Sequence, residues 1–302
     1  MKITIMSGKG GVGKTTLAVF LSTYYARKAN NVILADLDVE EPNAGIFLQK
    51  TEIHSIDAVV YRPRWKEDLC IFCGKCQEYC KFNAIAALPN YVIVFQELCH
   101  SCYACSELCP TKALPMYPAK IGTIGTYHIK DNFVFIEGRL DIGQEIASTL
   151  VKQTRDFVVQ KAQEAQKALE AHATMIVFDA PPGTACASRE AMAKADVVIL
   201  VTEPTPFGLH DMAMAYKLVK ASGKPCAIVI NKDTPGYDGI EEFAKSENIP
   251  ILARIPYSAD FAQAYSKGEL LNSDDIYHGI NIEKSLQAIE AWVSKNTSGG
   301  LK

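Results

Sequence analysis

The stretch KITIMSGKGGVGKTTLAVFLSTYYARK (residues 2–28) decides the fold of this 302-residue chain. Residues 2–7 form a short apolar run that predicts a β-strand. A glycine-rich loop comes next, and residues 14–28 then predict an α-helix. A strand, a glycine loop and a helix in this order begin an α/β unit, in which parallel strands alternate with helices.

Similar apolar runs recur along the chain, and helical patterns separate most of them. They span residues 31–36, 173–180, 195–203, 224–232 and 249–256. Continuous runs rich in β-branched residues are typical of parallel strands that are buried on both faces. We therefore predict an α/β fold with a mostly parallel sheet covered by helices. We also expect residues 121–137 to form short strands and residues 140–172 to form a long helical stretch.

Composition and charge exclude several classes of protein. Hydrophobic residues make up 48% and charged residues 22% of the chain, as in a folded globular protein of about two domains. The net charge of −3 offers no basic surface for nucleic acid. The N-terminal residues lack the apolar core of a signal peptide, and runs such as Val197–Val201 are too short to cross a bilayer. We expect a cytoplasmic protein without a nucleic-acid partner and without membrane insertion.

The glycine loop carries the first chemical signature. Residues 8–15 fit the pattern G-x-x-x-x-G-K-[ST] between a strand and a helix. Glycines let backbone N–H groups point inward around phosphate oxygens, and the helix N-terminus favours negative charge there. Lys14 would contact the β- and γ-phosphates, and the Thr15 hydroxyl would join the shell of Mg²⁺. The predicted ATP or ADP contacts in this segment are Gly8, Lys9, Gly10, Gly11, Val12, Gly13, Lys14, Thr15 and Thr16.

Cysteines form the second signature. The chain has ten, and eight of them lie between residues 70 and 109. Without a secretion signal, a metal site in a reducing cytoplasm explains them better than a disulfide framework. They form two runs of identical spacing, Cys70-x2-Cys73-x2-Cys76-x3-Cys80 and Cys99-x2-Cys102-x2-Cys105-x3-Cys109. Zinc is the main alternative to iron–sulfur clusters, but the C-x2-C pairs of zinc sites are normally separated rather than tripled.

Both runs resemble the C-x2-C-x2-C-x3-C-P run of bacterial ferredoxins, in which the fourth cysteine serves the other cluster. The resemblance implies one [4Fe–4S] cluster on Cys70, Cys73, Cys76 and Cys109. It implies a second on Cys80, Cys99, Cys102 and Cys105. Pro110 follows the second run, whereas Lys81 replaces the proline after the first, a change that leaves all ligands intact.

Lys9 makes the glycine loop resemble the deviant Walker A loop of the MinD, Mrp, ParA and nitrogenase iron protein superfamily of P-loop ATPases. The resemblance implies that Lys9 reaches the nucleotide of a partner subunit, in a homodimer or in a heterodimer with a related ATPase. Further motifs follow in the order of that superfamily. Asp38 lies after the second strand, in the segment called switch I. Asp179 and Gly183 lie in a DAPPG segment resembling switch II, and Asn231 lies at a later strand end.

The same resemblance implies roles for these positions. The implied catalytic residues are Lys9, Lys14 and Asp38. The implied residues around Mg²⁺ are Thr15, Asp38 and Asp179. Gly183 would sense the γ-phosphate, and Asn231 would contact the adenine.

As a whole, the chain resembles superfamily members that contain an inserted ferredoxin domain. The implied domains are a first part of the P-loop ATPase domain (1–56), an inserted ferredoxin-like α+β domain (57–116) and a second part of the ATPase domain (117–302). We expect the small inserted core to include Ile71 and Ile85.

Three functions fit these features. The first is an ATPase whose nucleotide-driven changes gate electron transfer through two clusters to a redox partner. The second is an assembly or carrier ATPase of the Mrp type that delivers clusters to an acceptor protein, although that branch uses a C-terminal CxxC pair and this chain has none. The third is a positioning switch of the ParA/MinD type. We favour the first.

Two cysteines and one segment remain outside this scheme. We interpret Cys186 as a small residue of a switch loop, with a redox or metal role as the alternative, and Cys226 as a core residue. Residues 282–295 predict an amphipathic helix that lacks a basic face, and we expect it to pack against the protein body rather than a membrane.

Overall fold

The computed structural model describes residues 1–28, 30–169, 174–268 and 282–297. Within them, nine strands form one sheet. In order across the sheet these are β11 (Ile251–Pro256), β10 (Cys226–Asp233), β9 (Val197–Thr202), β1 (Lys2–Met6), β8 (Met175–Asp179), β2 (Val32–Asp36), β7 (Phe133–Leu140), β6 (Met116–Lys130) and β3 (Thr51–Pro63). All neighbours from β11 to β7 are parallel, and the β7–β6 and β6–β3 pairs are antiparallel. The predicted α/β fold with a mostly parallel sheet is confirmed.

Helices cover both faces of this sheet. One face packs against α1 (Lys14–Arg27) and α9 (Ile282–Thr297), and α8 (Ala259–Ser266) lies on the same side. The other face packs against α4 (Ala147–Leu169), α5 (Cys186–Met192), α6 (Pro206–Ala221) and α7 (Gly239–Ser246). Neighbouring residues of a strand point to opposite faces. In β2, therefore, Ile33 packs on the α4 side and Leu34 on the α1 side. The central strands β2, β8 and β9 are mostly apolar because both of their faces are buried.

The cysteine runs lie in residues 64–115, between the edge strand β3 and its neighbour β6, which pair along most of their length. This segment contains the hairpin of β4 (Ile85–Leu88) and β5 (Tyr91–Val94) and the short helices α2 (Lys75–Tyr79) and α3 (Ala104–Glu107). Its buried core is small and consists of Ile85, Val92, Cys105 and Leu114.

Several local expectations were wrong. The short strands expected within 121–137 are instead the long strand β6 and the start of β7, because β6 pairs with β3 and β7 along its length. The long helix begins at Ala147 rather than near residue 140, because β7 continues to Leu140. Its expected end at 170–172 lies outside the described residues. Ile71 is 61% exposed and does not join the inserted core.

The C-terminal segment confirms its predicted packing. In α9, Ile282, Leu286, Ile289 and Val293 are buried against the core beside α1. No helix in the described part of the chain combines the length and apolar character needed to cross a membrane.

Candidate functional site

The glycine loop connects β1 to α1 at the carboxyl edge of the sheet, where open parallel sheets bind ligands. Gly13 has a φ of 92°, a conformation that favours glycine, and a Cβ there would lie 2.1 Å from Nδ2 of Asn231. A Cβ on Gly8 would lie 2.1 Å from the carbonyl oxygen of Asp211 in α6. The loop therefore requires glycine at both positions to lie this close to its neighbours.

A buried ion pair lies beneath the loop. Nζ of Lys14 is 3.0 Å from Oδ1 of Asp179, and the two side chains are 7% and 0% exposed. Burial alone lowers the pKa of Lys14, but the carboxylates of Asp179, Asp38 and Asp36 together outweigh burial, so the pKa is raised. Lys14, in its charged form, thus joins the start of α1 to the end of β8 through Asp179.

The other carboxylate oxygen of Asp179 is free to accept a hydrogen bond from metal-bound water. Oδ2 is buried and has no hydrogen-bond partner among the described residues. Buried carboxylate oxygens are normally satisfied, and a water molecule of a Mg²⁺ shell would satisfy this one. Thr15 and Asp38 line the neighbouring cavity, so the donor set fits magnesium.

Asp36, at the end of β2, shapes the switch I segment. Its Oδ1 accepts a hydrogen bond from the backbone N–H of Asp38 at 3.0 Å, and its Oδ2 accepts bonds of 2.9 Å from Asn43 and Ala44. Burial and the neighbouring Asp179 raise the pKa of Asp36, whereas these N–H groups oppose the rise. Sequence reasoning missed this role, although a carboxylate at a strand end is a signal for it.

The cavity above the loop has a volume of about 470 Å³, which suits a small ligand. Of the residues predicted to bind nucleotide or Mg²⁺, it is lined by Gly10, Gly11, Gly13, Lys14, Thr15, Thr16, Asp38 and Asn231. Burial raises the pKa of Asp38 to about 6. Five predicted residues do not line the cavity: Gly8, Lys9, Val12, Asp179 and Gly183.

One of these five, Gly183, nevertheless lies beside the loop. The backbone N–H of Gly183 donates to the carbonyl oxygen of Ser7 at 3.0 Å, which holds the switch II segment against the loop. Asn231 also contacts the loop, because its Nδ2 donates to the carbonyl oxygen of Val12 at 2.8 Å. Switch II and β10 therefore both contact the backbone that would surround the phosphates.

One wall of the cavity was not predicted from the sequence. It is formed by the segment that follows β11 and by α8, and includes Pro256, Tyr257, Ser258, Phe261 and Tyr265. Ser258 begins α8 by accepting a hydrogen bond from the backbone N–H of Phe261 at 3.2 Å. The available signal was the position of these aromatic residues after another strand of the same sheet edge.

Lys9 has a partner within its own chain. Its Nζ lies 3.2 Å from Oε2 of Glu203, whose Oε1 lies 2.7 Å from Nζ of Lys232. Lys232 also donates to the carbonyl oxygen of Gly11 at 2.8 Å. Burial raises the pKa of Glu203, but the two lysines outweigh it and the pKa is lowered. Glu203 carried no sequence motif and was not predicted.

The eight cysteines gather around two separate cavities. One cavity is lined by Cys70, Cys73, Cys76 and Cys109, which we call the first cysteine site. The other is lined by Cys80, Cys99, Cys102 and Cys105, which we call the second cysteine site. In each site, three cysteines come from one run and the fourth comes from the other, which is the grouping that the resemblance to bacterial ferredoxins implies.

The two sites are related by an internal repeat of 29 residues. Phe72 and its counterpart Ser101 both have a φ of 54°. The backbone N–H of Ala84 donates to Sγ of Cys80 at 3.3 Å, and that of Ala113 donates to Sγ of Cys109 at 3.2 Å. Such left-handed turns and N–H donors form anion-binding concavities of the kind seen at iron–sulfur sites.

The chemistry of these residues fits a polynuclear cluster. No group of three or more His, Cys, Asp or Glu side chains in the described ranges is placed to hold one metal ion. The thiolates of a [4Fe–4S] cluster bind different irons and so surround a larger volume. The thiol donors, the cavities and the N–H groups together fit such a cluster.

The two remaining cysteines lie outside both sites. Cys186 is exposed at the start of α5. Cys226 is partly buried at the start of β10, where burial raises its pKa to about 12. The expected core position of Cys226 is therefore confirmed only in part.

Comparisons with known proteins agree with the fold. The model of the CobQ/CobB/MinD/ParA nucleotide binding domain family matches residues 3–271. The protein named Uncharacterized protein MJ0579 of Methanocaldococcus jannaschii is 30% identical over 273 residues, covering 89% of this chain and 90% of that protein. The Iron-sulfur cluster carrier protein of Pyrococcus horikoshii is 24% identical over 284 residues, covering 88% and 77% respectively. The crystal structure of the cell division ATPase MinD of Pyrococcus furiosus matches with a TM-score of 0.54 and 20% identity, covering 96% and 98%, and shares the fold.

Proposed function

Because the chain belongs to the CobQ/CobB/MinD/ParA nucleotide-binding family, we propose that it is a P-loop ATPase whose nucleotide state controls electron transfer through two [4Fe–4S] clusters. The clusters would be held by an inserted ferredoxin-like domain, within residues 57–116. The observation that carries the proposal is the crossed grouping of eight cysteines around two cavities at the ends of strands β3 and β6.

In the nucleotide site, the chain would bind ATP with Mg²⁺ and hydrolyse it to ADP and phosphate. Lys14 would neutralise charge on the transferred phosphoryl group, and Asp38 would orient the attacking water. Thr15 and Asp179 would hold the metal, Asp179 through coordinated water on its orphaned Oδ2. Asn231 and the aromatic wall formed by Tyr257 and Phe261 would enclose the base.

Lys9 would act between subunits. In this scheme its ammonium leaves Glu203 and contacts the nucleotide of a partner subunit, which is either a second copy or a related ATPase. The Lys9–Glu203 pair is partly exposed, with side chains 35% and 17% exposed, so exchanging one anionic partner for another would cost little. Dimer formation would thus depend on bound ATP.

In the inserted domain, the two cysteine sites would each hold one cluster. A bound [4Fe–4S] cluster accepts and releases one electron. Cys73 and Cys102 are exposed, so each site reaches the surface where a redox protein could dock. The electron would come from a reduced donor protein and pass to an oxidised acceptor protein.

The experiment that tests the proposal begins with anaerobic reconstitution of the full chain. Two clusters predict about eight irons per chain. Cluster reduction by a one-electron donor protein should then differ between the ATP-bound and ADP-bound protein. An iron content near four, or zinc alone, would contradict the two-cluster proposal.

A second candidate function is delivery of clusters to other proteins. The relative from Pyrococcus horikoshii that is named an iron–sulfur cluster carrier favours it. Offering an apo-ferredoxin to the iron-loaded chain separates the two functions. Quantitative loss of iron to the apo-ferredoxin supports delivery, whereas retained clusters with nucleotide-dependent reduction support electron transfer.

A further inference from the structure

Arg62 is a buried cation near the end of β3. The residue is 4% exposed, and its Nη2 donates to Oε1 of Gln144 at 2.8 Å. Its Nε is buried and has no hydrogen-bond partner among the described residues. Within those residues, no carboxylate forms an ion pair with Arg62. A guanidinium buried in this way requires negative charge close by.

The second cysteine site lies next to Arg62. Pro63, the following residue, lines the cavity of that site. Gln96, three residues before Cys99, donates from its Nε2 to the carbonyl oxygen of Pro63 at 2.9 Å, which holds the end of β3 against the second cysteine run. A cluster bound by four thiolates is anionic and would supply the missing charge.

The first cysteine site has no matching group. In the 29-residue repeat, Pro63 corresponds to Val92, and these residues line the second and the first cavity respectively. Arg62 therefore corresponds to Tyr91, a neutral side chain that is 53% exposed. The lysine that lines the first cavity, Lys75, is exposed to solvent. Two backbones of similar geometry thus have different electrostatic surroundings.

We infer that Arg62 is the counter-charge of the second cysteine site and raises the reduction potential of the cluster held there above that of the first. This inference rests on the proposed function, since it requires both clusters, but it does not require ATP control. Reduction adds one electron and changes no bond, so the buried cation stabilises the more negative, reduced state. At an effective dielectric constant near 20, a unit charge within roughly 10 Å changes such an equilibrium more than tenfold.

A redox titration of the reconstituted full chain tests the inference. Dithionite with mediators supplies the electrons, and EPR spectroscopy follows each cluster. We expect Arg62→Gln to lower one midpoint potential by at least about 59 mV, a tenfold change in the one-electron equilibrium, and to leave the other in place. Arg64→Gln is the matched control, because Arg64 is exposed and lies over the ring of Tyr117. It should move neither potential.

Gln144→Glu provides a second test that keeps Arg62 in place. Its carboxylate would pair with the guanidinium and cancel the counter-charge. The same midpoint potential should therefore fall by at least about 59 mV, a tenfold change in the one-electron equilibrium constant. This variant decides the matter if Arg62→Gln releases its cluster. If every Arg62 and Gln144 variant that retains both clusters keeps the wild-type midpoint potentials, the proposed role of Arg62 is overturned. The proposed function then still stands. A wild-type chain that binds no iron would overturn both.

Discussion

The backbone N–H of Leu140 donates a hydrogen bond of 2.8 Å to the carbonyl oxygen of Val39. Val39 follows Asp38 in switch I, and Leu140 ends β7. The next residue, Asp141, donates a backbone hydrogen bond of 2.9 Å to Ile121 of β6, the strand that leads from the cysteine segment. Two hydrogen bonds thus connect switch I, through the end of β7, with β6, and the proposed coupling would use this connection.

A methyl group added beside this connection should weaken the proposed coupling. A Cβ on Gly138 of β7 would lie 2.8 Å from Cγ1 of Val39 and 2.5 Å from Oγ1 of Thr154. We expect Gly138→Ala to cost about 1–3 kcal/mol of stability by overpacking. It should keep its iron while the effect of ATP on cluster reduction falls at least about twofold. An unchanged ATP effect in a correctly folded Gly138→Ala protein would argue against coupling through this connection.

Because the Lys14–Asp179 pair is buried, replacing Lys14 should lower both ATPase activity and protein stability. Lys14→Met should lower ATP turnover at least about 100-fold, because charge on the phosphoryl group is no longer stabilised. It should also lower the free energy of unfolding by about 3–5 kcal/mol, since it leaves Asp179 buried without its counter-charge. Chemical denaturation and ATPase assays measure these effects.

Two controls accompany Lys14→Met. Lys2→Met removes the partly exposed pair with Asp196 and should cost less than about 1 kcal/mol. The double variant Lys14→Met/Asp179→Asn should be less destabilised than the sum of its single changes. Iron content should match the wild type, and a loss of iron in Lys14→Met would show that the two sites are not separable.

The crossed grouping of cysteines predicts which variants share a defect. Cys73→Ala and Cys109→Ala should remove the same cluster signal, although these residues belong to different runs. Cys80→Ala and Cys102→Ala should remove the other signal, as seen by EPR spectroscopy of the reduced protein. Cys186→Ala is the control and should retain about eight irons. If Cys109→Ala instead affects the signal lost in Cys102→Ala, the ligand grouping is wrong.

Glu203 should restrain Lys9 in the single chain. We expect Glu203→Gln to promote self-association with a non-hydrolysable ATP analogue at a several-fold lower protein concentration, because Lys9 is released. Sedimentation equilibrium measures this. Glu247→Gln is the control, since it removes a carboxylate from the surface pair with Lys220. Weaker self-association in Glu203→Gln would mean that Glu203 orients Lys9 for dimer formation instead.

The sequence predicted features that depend on local spacing. Continuous apolar runs identified the parallel strands, the glycine loop identified the start of α1, and the cysteine spacing matched the grouping around the two cavities. These features were accessible because the residues involved are close in sequence or follow a periodic pattern.

The features that the sequence did not predict depend on contacts between distant segments. Glu203 meets Lys9 across 194 positions of the chain, and the cavity wall after β11 joins a loop near the N-terminus. Arg62 lies on the same face of β3 as the buried Ala58 and Val60, but the strand pattern does not show which groups surround its charge. Its surroundings depend on how residues 64–115 return to the sheet, which no local pattern encodes.

The central claim is that nucleotide state controls electron transfer through the inserted domain. The most direct measurement is the stopped-flow rate of cluster reduction by a reduced ferredoxin, with the reconstituted chain bound to ATP analogue or to ADP. We predict rates that differ at least about threefold for the wild type and coincide for Lys14→Met. Equal rates in both nucleotide states for a wild-type chain that binds nucleotide and carries both clusters would contradict the claim.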